Sequence, residues 1–424
     1  MDFKRKLLFL EGEMTGGKGH HLDNLIEATI FFKEKFNIIW FVNKNFNEHN
    51  LFIPNQTVVK KLIESNKFIR NKNKLFYFLN EIYFLFNNIY QVIFFAFYFI
   101  YNKKFKIFIK TLISNYLIIP RYFKSFYLEY IKQNIGEEDQ IIIQSCRRKD
   151  IALVYFLSAI EKNIPKIHIR VLYPPKNRFK DFFFYLNKIK KNILNNKITI
   201  YTEIDHSKKL IEQQNTDLKN KIFIFNQIYT FFSREKENQN INIGFVGDAR
   251  INKGFNQLPE FIEKLYSKKN NINYLIQFSK TYEETEATRN ILIKMASQIP
   301  NIKIIEKYCD YLEYRSLLKK INIMPLMYPA AHLNLMGSGV FYSCLTHEIP
   351  LVIPSGSTYL KTLLNFKCFE EAKNIEDFVN KSILIAENYS DYLTEAKKQS
   401  SEYKLKIKDD PLVKRVSNIQ TTHL

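Results

Sequence analysis

Hydrophobic and polar positions fall in blocks along the chain. Leu7–Glu11 is a short, mostly apolar run, and the glycine-rich stretch GEMTGGKGHHLDN follows it. From about Leu22 to Lys35 apolar residues recur at helical spacing, and Ile38–Val42 is again a short apolar run. Strand, glycine loop, helix and strand in that order open a doubly wound sheet. Further strands are predicted at Gln140–Gln144, Lys166–Leu172 and Lys197–Thr202, with helical patterns between them. Such alternation argues for parallel strands joined by crossover helices.

The polar stretch Glu235–Asn242 lacks apolar periodicity and reads as part of a linker. A second series follows, with strands at Ile243–Val246, Ile272–Phe278, Ile302–Glu306, Ile321–Pro325 and Leu351–Ile353. Helices are predicted between them at Gln257–Ser267, Thr285–Gln298, Tyr311–Lys319 and Gly339–Thr346, and two more from about Ile375 onward.

One segment interrupts the pattern. Leu75–Tyr130 is crowded with Phe and Tyr, and its most apolar run is Val92–Tyr101. A spanning helix needs about 20 apolar residues. Extension meets Asn87, Asn88 and Gln91 on one side and Lys103, Lys104 and Lys106 on the other, so a span is not expected. Two readings stand: a buried helical hairpin inserted in the first domain, or an interfacial surface with lysines toward anionic lipid.

The chain has 424 residues, 46% hydrophobic and 25% charged, which is ordinary for a globular protein of about two or three domains. A disulfide mini-protein, a collagen-like fibre and a disordered acidic chain are excluded. The 63 basic and 42 acidic residues leave a net charge of +21, a field that attracts polyanions, anionic lipids and phosphorylated substrates. Only 12 of the 63 are arginine, and lysine lacks the fork that reads bases and phosphates. Lys, Asn, Ile, Phe and Tyr all have A/T-rich codons, so a biased genome is a sufficient source for much of the skew. No nucleic-acid partner is expected.

Cys146, Cys309, Cys344 and Cys368 are far apart, with no zinc-site spacing. They read as reduced, mostly buried thiols of a cytoplasmic protein. The apolar run Leu7–Leu10 is too short for a signal peptide. No Asp-x-Asp metal signature occurs, so no metal cofactor is expected.

Two segments of the second half are suited to an anion. In Gly244–Phe255 a strand ends at Val246, Gly247 permits a tight turn, and Arg250 and Lys253 lie just beyond. Cations beside a strand's carboxyl end can meet a diphosphate; otherwise this is a turn with two solvated cations. In Tyr328–Pro354, Gly337, Ser338 and Gly339 come directly before a helical stretch. Free N–H groups and the helix dipole favour phosphate there, although Ser338 also suits an ordinary cap.

In this order the pieces resemble GT-B glycosyltransferases. VGDARINKGF resembles the element that opens their C-terminal domain. LMGSGVFYSCLTHEIPLVIPSG resembles the later element where the donor diphosphate meets a helix, and GGKGHHLDN resembles the N-terminal loop that faces the cleft. The architectural likeness covers nearly the whole chain, the motifs about sixty residues.

The resemblance implies an α/β chain of two Rossmann-like domains facing a cleft. Residues 1–234 would form the acceptor side, with a helical insertion at about 70–133. Residues 235–242 would be the linker, 243–388 the nucleotide-sugar domain, and 389–424 helices crossing back to the first domain. Gly247, Arg250 and Lys253 would meet the donor diphosphate, and Gly337, Ser338, Gly339 and the Val340 amide the distal phosphate. Tyr308 would lie near the nucleobase, while Gly16, Gly17 and Gly19 would shape the acceptor-side loop.

An inverting route also needs a general base. His20, His21 and Asp23 are the best titratable candidates, His21 with Asp23 foremost; alternatively His20 or Asp23 caps the helix. His168 and Arg170 share one strand face and would line the acceptor side, unless His168 is a satisfied core histidine. His332 would approach the donor sugar.

The expected co-substrate is a nucleotide-sugar, with no further cofactor. The expected acceptor is a surface glycan or lipid-linked sugar, at the inner face of an anionic membrane. The family's usual glutamate pair is absent, since Leu335 and Ser343 take those places, and Glu348 stands where glycine is preferred. Stereochemistry is therefore left open. So are two other readings: a nucleotide-sugar 2-epimerase, and a non-catalytic binding protein with a degenerate donor site.

Overall fold

The computed structural model describes residues 4–12, 14, 20–48, 51–62, 118–172, 180–232, 240–279, 281–330, 338–363 and 365–417. The first sheet contains β1 (Lys6–Glu11), β2 (Asn37–Asn43), β3 (Val58–Leu62), β4 (Gln140–Ile143), β5 (Lys166–Val171), β6 (Ile198–Thr202) and β7 (Ile222–Ile224). Its order is β3-β2-β1-β4-β5-β6-β7, and every pair is parallel. Its helices are α1 (His20–Phe32), α2 (Ile118–Lys132), α3 (Arg148–Ile160), α4 (Lys180–Leu194) and α5 (Asp205–Gln214).

Continuous runs such as LLFL and IIWFV suit strands buried on both faces. Leu8, Leu10, Ile39 and Phe41 pack in the core that also holds Phe123, Phe126 and Leu157 of α2 and α3. Leu7, Phe9 and Trp40 point the other way, into the core of Leu25 and Ile26 on α1. Where the predicted insertion is described, at α2, Tyr122, Phe123 and Phe126 are buried against the sheet. The rest of it, including Val92–Tyr101, lies outside the described residues.

The second series has β8 (Asn242–Gly247), β9 (Asn273–Phe278), β10 (Ile302–Glu306), β11 (Met324–Pro325), β12 (Leu351–Pro354) and β13 (Phe369–Ala372). Its helices are α6 (Leu258–Lys268), α7 (Glu286–Gln298), α8 (Tyr311–Lys320), α9 (Gly339–Thr346), α10 (Leu360–Leu363) and α11 (Ile375–Glu387). The strands run β10-β9-β8 and β11-β12-β13, and a parallel bridge from Ile243 to Ile323 joins the two sets. Both halves thus reverse strand order once, between β1 and β4 and between β8 and β11. Ligands of open α/β sheets sit beyond the carboxyl ends of strands at such a switch point.

The tail forms α12 (Tyr389–Lys408) and α13 (Pro411–Ser417). These helices contact the first sheet: Gln140 Nε2 donates to the Val416 carbonyl at 2.9 Å, and Asn226 N–H donates to Asp410 Oδ2 at 2.6 Å.

Three of the boundary differences from the sequence expectation bear on the sheets and the site. α1 begins at His20, so His20 and His21 are helical and Asp23 sits in the first turn, where a carboxylate meets the positive end of the dipole. Asn242, assigned to the linker, is the first residue of β8. The strand expected at Ile321–Pro325 shrinks to Met324–Pro325, preceded by the single bridge from Ile323 to Ile243.

Candidate functional site

At the second switch point β8 ends at Gly247. The chain turns through Asp248–Arg250 into a 3-10 turn, Ile251–Lys253, and leaves it at Gly254 with φ 77°. A Cβ at Gly254 would stand 2.3 Å from the Met327 carbonyl oxygen, so glycine alone lets this loop pass against the segment after β11. The fold-back brings the Lys253 ammonium to 3.3 Å from where a Gly247 Cβ would be, over the strand end. Desolvation holds its pKa below the usual lysine value, against the pull of Asp248. Arg250 is exposed but engaged: Nη2 meets Asp248 Oδ2 at 2.6 Å, and Nε donates to the Tyr282 hydroxyl at 3.1 Å.

Ser338 is the N-cap of α9. Its Oγ accepts from Phe341 N–H at 3.3 Å, and its own N–H donates to the Tyr359 hydroxyl at 2.6 Å. Both groups expected to meet phosphate are therefore committed to the fold. The Gly339 and Val340 amides remain at the helix start. Tyr308 follows β10 and is half-buried.

The first sheet contributes Asp23. It keeps some exposed surface, yet burial among packed groups pushes its carboxyl up to about 6; Arg315 of α8 opposes this and Asp310 adds to it. Arg315 is fixed by an ion pair with Glu27, one turn beyond Asp23 on α1. The Tyr311 hydroxyl donates to Glu27 Oε1 at 3.0 Å, and the Thr230 N–H and hydroxyl donate to Oε2. The rings of Tyr229, Tyr311 and Phe232 surround the Arg315 guanidinium at 5.2 to 5.5 Å.

Of the two readings of His168, the structure matches the satisfied core histidine. It is 2% exposed, with Nδ1 3.0 Å from the Tyr201 hydroxyl and Nε2 2.8 Å from Gln140 Oε1. Burial, then Lys166 and Arg415, pull its pKa down to about 3. It is a neutral core imidazole that cannot reach an acceptor. Arg170 shares its face but lies nearer the strand end, where Nη2 donates to Gln227 Oε1 at 2.8 Å.

Gly16, Gly17, Gly19, His332 and Gly337 lie outside the described residues, as do the side chains of His20 and His21. Sequence reasoning missed Glu27 and Arg315. A lone acid within LIEATIFF was the one signal for the first.

A pocket of about 620 Å³ opens at the same end of the second sheet, between α6 and α11, and includes Gln257, Tyr328, Ser355 and Asn374. Arg250, Lys253 and Ser338 do not line it. Among the described residues no group of three His, Cys, Asp or Glu could hold a metal, and no helix is long and apolar enough to cross a membrane.

No family model matches the chain, and no curated protein matches it by sequence. Solved structures do match. HepE from Anabaena, in complex with UDP and glucose, superposes with a TM-score of 0.59 at 10% identity, covering 98% of this chain and 100% of that one. A glycosyltransferase from Rickettsia africae gives 0.58 at 11% identity over 98% and 100%. A sucrose-phosphate synthase from Thermosynechococcus elongatus gives 0.56 at 8% identity over 94% of each.

The fold is GT-B. Within this GT-B chain Glu348, just beyond α9, has φ 56°. The turn after α9 therefore takes left-handed backbone at this position, a conformation that glycine adopts most readily.

Proposed function

We propose that the chain is a glycosyltransferase. It moves a sugar from a nucleoside-diphosphate donor at the second sheet to an acceptor hydroxyl at the first. The observation that carries this reading is the second switch point, where Lys253 lies over the end of β8 in a loop locked by Gly254 against the β11 segment. HepE, of the same fold, was solved with UDP and glucose, which supports a nucleotide-sugar donor.

In the transfer the bond from the sugar C1 to the diphosphate oxygen breaks, and the acceptor oxygen bonds to C1. Lys253, Arg250 and the Gly339 and Val340 amides take up charge on the leaving diphosphate without a metal. If the route inverts, the hydroxyl proton passes to Asp23, with His21 beside it in sequence. Asp23 suits that role because its raised pKa lies near neutral pH. The acceptor is a surface glycan or lipid-linked sugar, and the net charge of +21 favours an anionic membrane surface beside it.

The test is thermal stabilisation by a panel of nucleoside diphosphates and nucleotide-sugars, with wild type and Arg250→Ala/Lys253→Ala. A selective shift that disappears in the variant is expected. No shift with any nucleotide would overturn the donor assignment.

A further inference from the structure

The loop after β8 sets its two cations against different neighbours. Lys253 stands over the end of β8, in the turn that Gly254 presses against the Met327 carbonyl after β11. Arg250 is held on the other side. Its Nε donates to the Tyr282 hydroxyl at 3.1 Å, and its guanidinium carbon lies 5.5 Å from the centre of that ring. Tyr282 follows β9, and β9 and β11 flank β8 on opposite sides.

Asp248 fixes this arrangement. Its Oδ2 takes Arg250 Nη2 at 2.6 Å, while its Oδ1 accepts from Ser279 Oγ, just after β9, at 3.1 Å. The backbone between them is tied down as well, because the Thr285 hydroxyl donates to the Ala249 carbonyl at 3.0 Å. The carboxylate thus has an anchor on the β9 side that does not involve the arginine. It also pulls on Lys253.

The ion pair is open to exchange. The Arg250 and Asp248 side chains are 47% and 31% exposed, and pairs this exposed are weak. A diphosphate offers the guanidinium more charge than one carboxylate and a fork of oxygens that matches its own. When the arginine leaves, Asp248 keeps the Ser279 bond.

We propose that Asp248 is an internal competitor: it holds Arg250 beside the β9 loop in the free protein, and a diphosphate must displace it to bring Arg250 and Lys253 onto one ligand. Asp248 is a positioning residue that acts through Arg250. Its charge makes the site bind diphosphate less tightly than the two cations would without it. As the diphosphate departs, the carboxylate takes the guanidinium back. This rests on the reading of the second switch point as the donor diphosphate site.

Isothermal titration of the full chain with pyrophosphate, UDP, GDP and ADP tests it. Asp248→Asn removes the charge and keeps an oxygen for Ser279. It is expected to bind at least one of these ligands about fivefold tighter than wild type, a gain of about 1 kcal/mol. Ser279→Ala is expected to act in the opposite direction, weakening binding about twofold or more, because the displaced carboxylate loses its anchor. In the Arg250→Ala background the gain from Asp248→Asn is expected to fall below about twofold. Both single variants are expected to melt within about 2 °C of wild type. If asparagine disturbs the loop and lowers the melting temperature further, Asp248→Ser carries the same expectation. Equal or weaker binding without the charge overturns the proposal. So does a gain that survives without Arg250, which would place the effect on Lys253. Either result leaves the donor reading standing, provided wild type binds a diphosphate. Binding of none of the four ligands to wild type or variant overturns both.

Discussion

Glu27 on α1 and Arg315 on α8, 288 residues apart, form a buried ion pair that ties the first sheet's helix layer to the second's. Their side chains are 0% and 5% exposed. Removing one member leaves the other charge buried without compensation, which costs about 3–5 kcal/mol. Arg315→Met and Glu27→Gln are each expected to lower unfolding free energy by about that much in urea titration. The double variant is expected to lose less than the sum of the two. Single losses under about 1 kcal/mol would mean the pair is open in solution.

Arg315 also acts on Asp23, and that gives a pH dependence. Burial lifts the Asp23 carboxyl from 3.8 to about 6, so the ionised base exists above that pH and disappears as pH falls through it. Turnover of an inverting transfer is expected to show an acid limb near pH 6. Arg315 pulls the value down, so Arg315→Met is expected to move the limb to higher pH. For stability the sign is opposite: the buried charge opposes folding above about pH 6, and that penalty fades as pH falls toward 4. Asp23→Asn is expected to cut turnover by about 10²–10⁴-fold. Full activity in Asp23→Asn would remove the residue from the chemistry.

Gly254→Ala tests the loop that carries Lys253. The new methyl would press on the Met327 carbonyl at a φ of 77° that alanine resists. Left-handed backbone costs a non-glycine residue about 1–2 kcal/mol before any clash. The loop is expected to shift, with a lower melting temperature and weaker nucleotide binding together. A stable variant with unchanged binding would show that the loop's path does not set the Lys253 position.

The sequence pattern located most central strands and missed three: β3, β7 and β13. All three are sheet edges. β3 reads VVKKL and β13 FEEA, while β7 has only three residues. Edge strands are kept short or charged because a long apolar edge would pair with other chains, so their signal is weak by selection. The site divides similarly. Asp23, Arg250 and Lys253 follow glycine-rich turns beside strand ends and are visible locally. The Glu27–Arg315 pair depends on how helices 288 residues apart pack together, which no local window contains. The choice between the two readings of His168 was not visible locally either, since its partners Gln140 and Tyr201 come from neighbouring strands.

Tyr359 holds the start of α9, and a single oxygen separates its two roles. Its hydroxyl accepts the buried Ser338 N–H at 2.6 Å, while its ring packs on Phe341 at 4.2 Å. Tyr359→Phe keeps the ring and strands the N–H, which costs about 1–3 kcal/mol. Ser338 is 6% exposed, so the released donor stays inside the protein and cannot serve a ligand. The helix start is then free to drift, and the Gly339 and Val340 amides drift with it. The variant is expected to melt lower and to bind nucleoside diphosphate up to about tenfold more weakly, with little change for the nucleoside alone. Equal losses for diphosphate and nucleoside would instead place the effect at the base, away from α9.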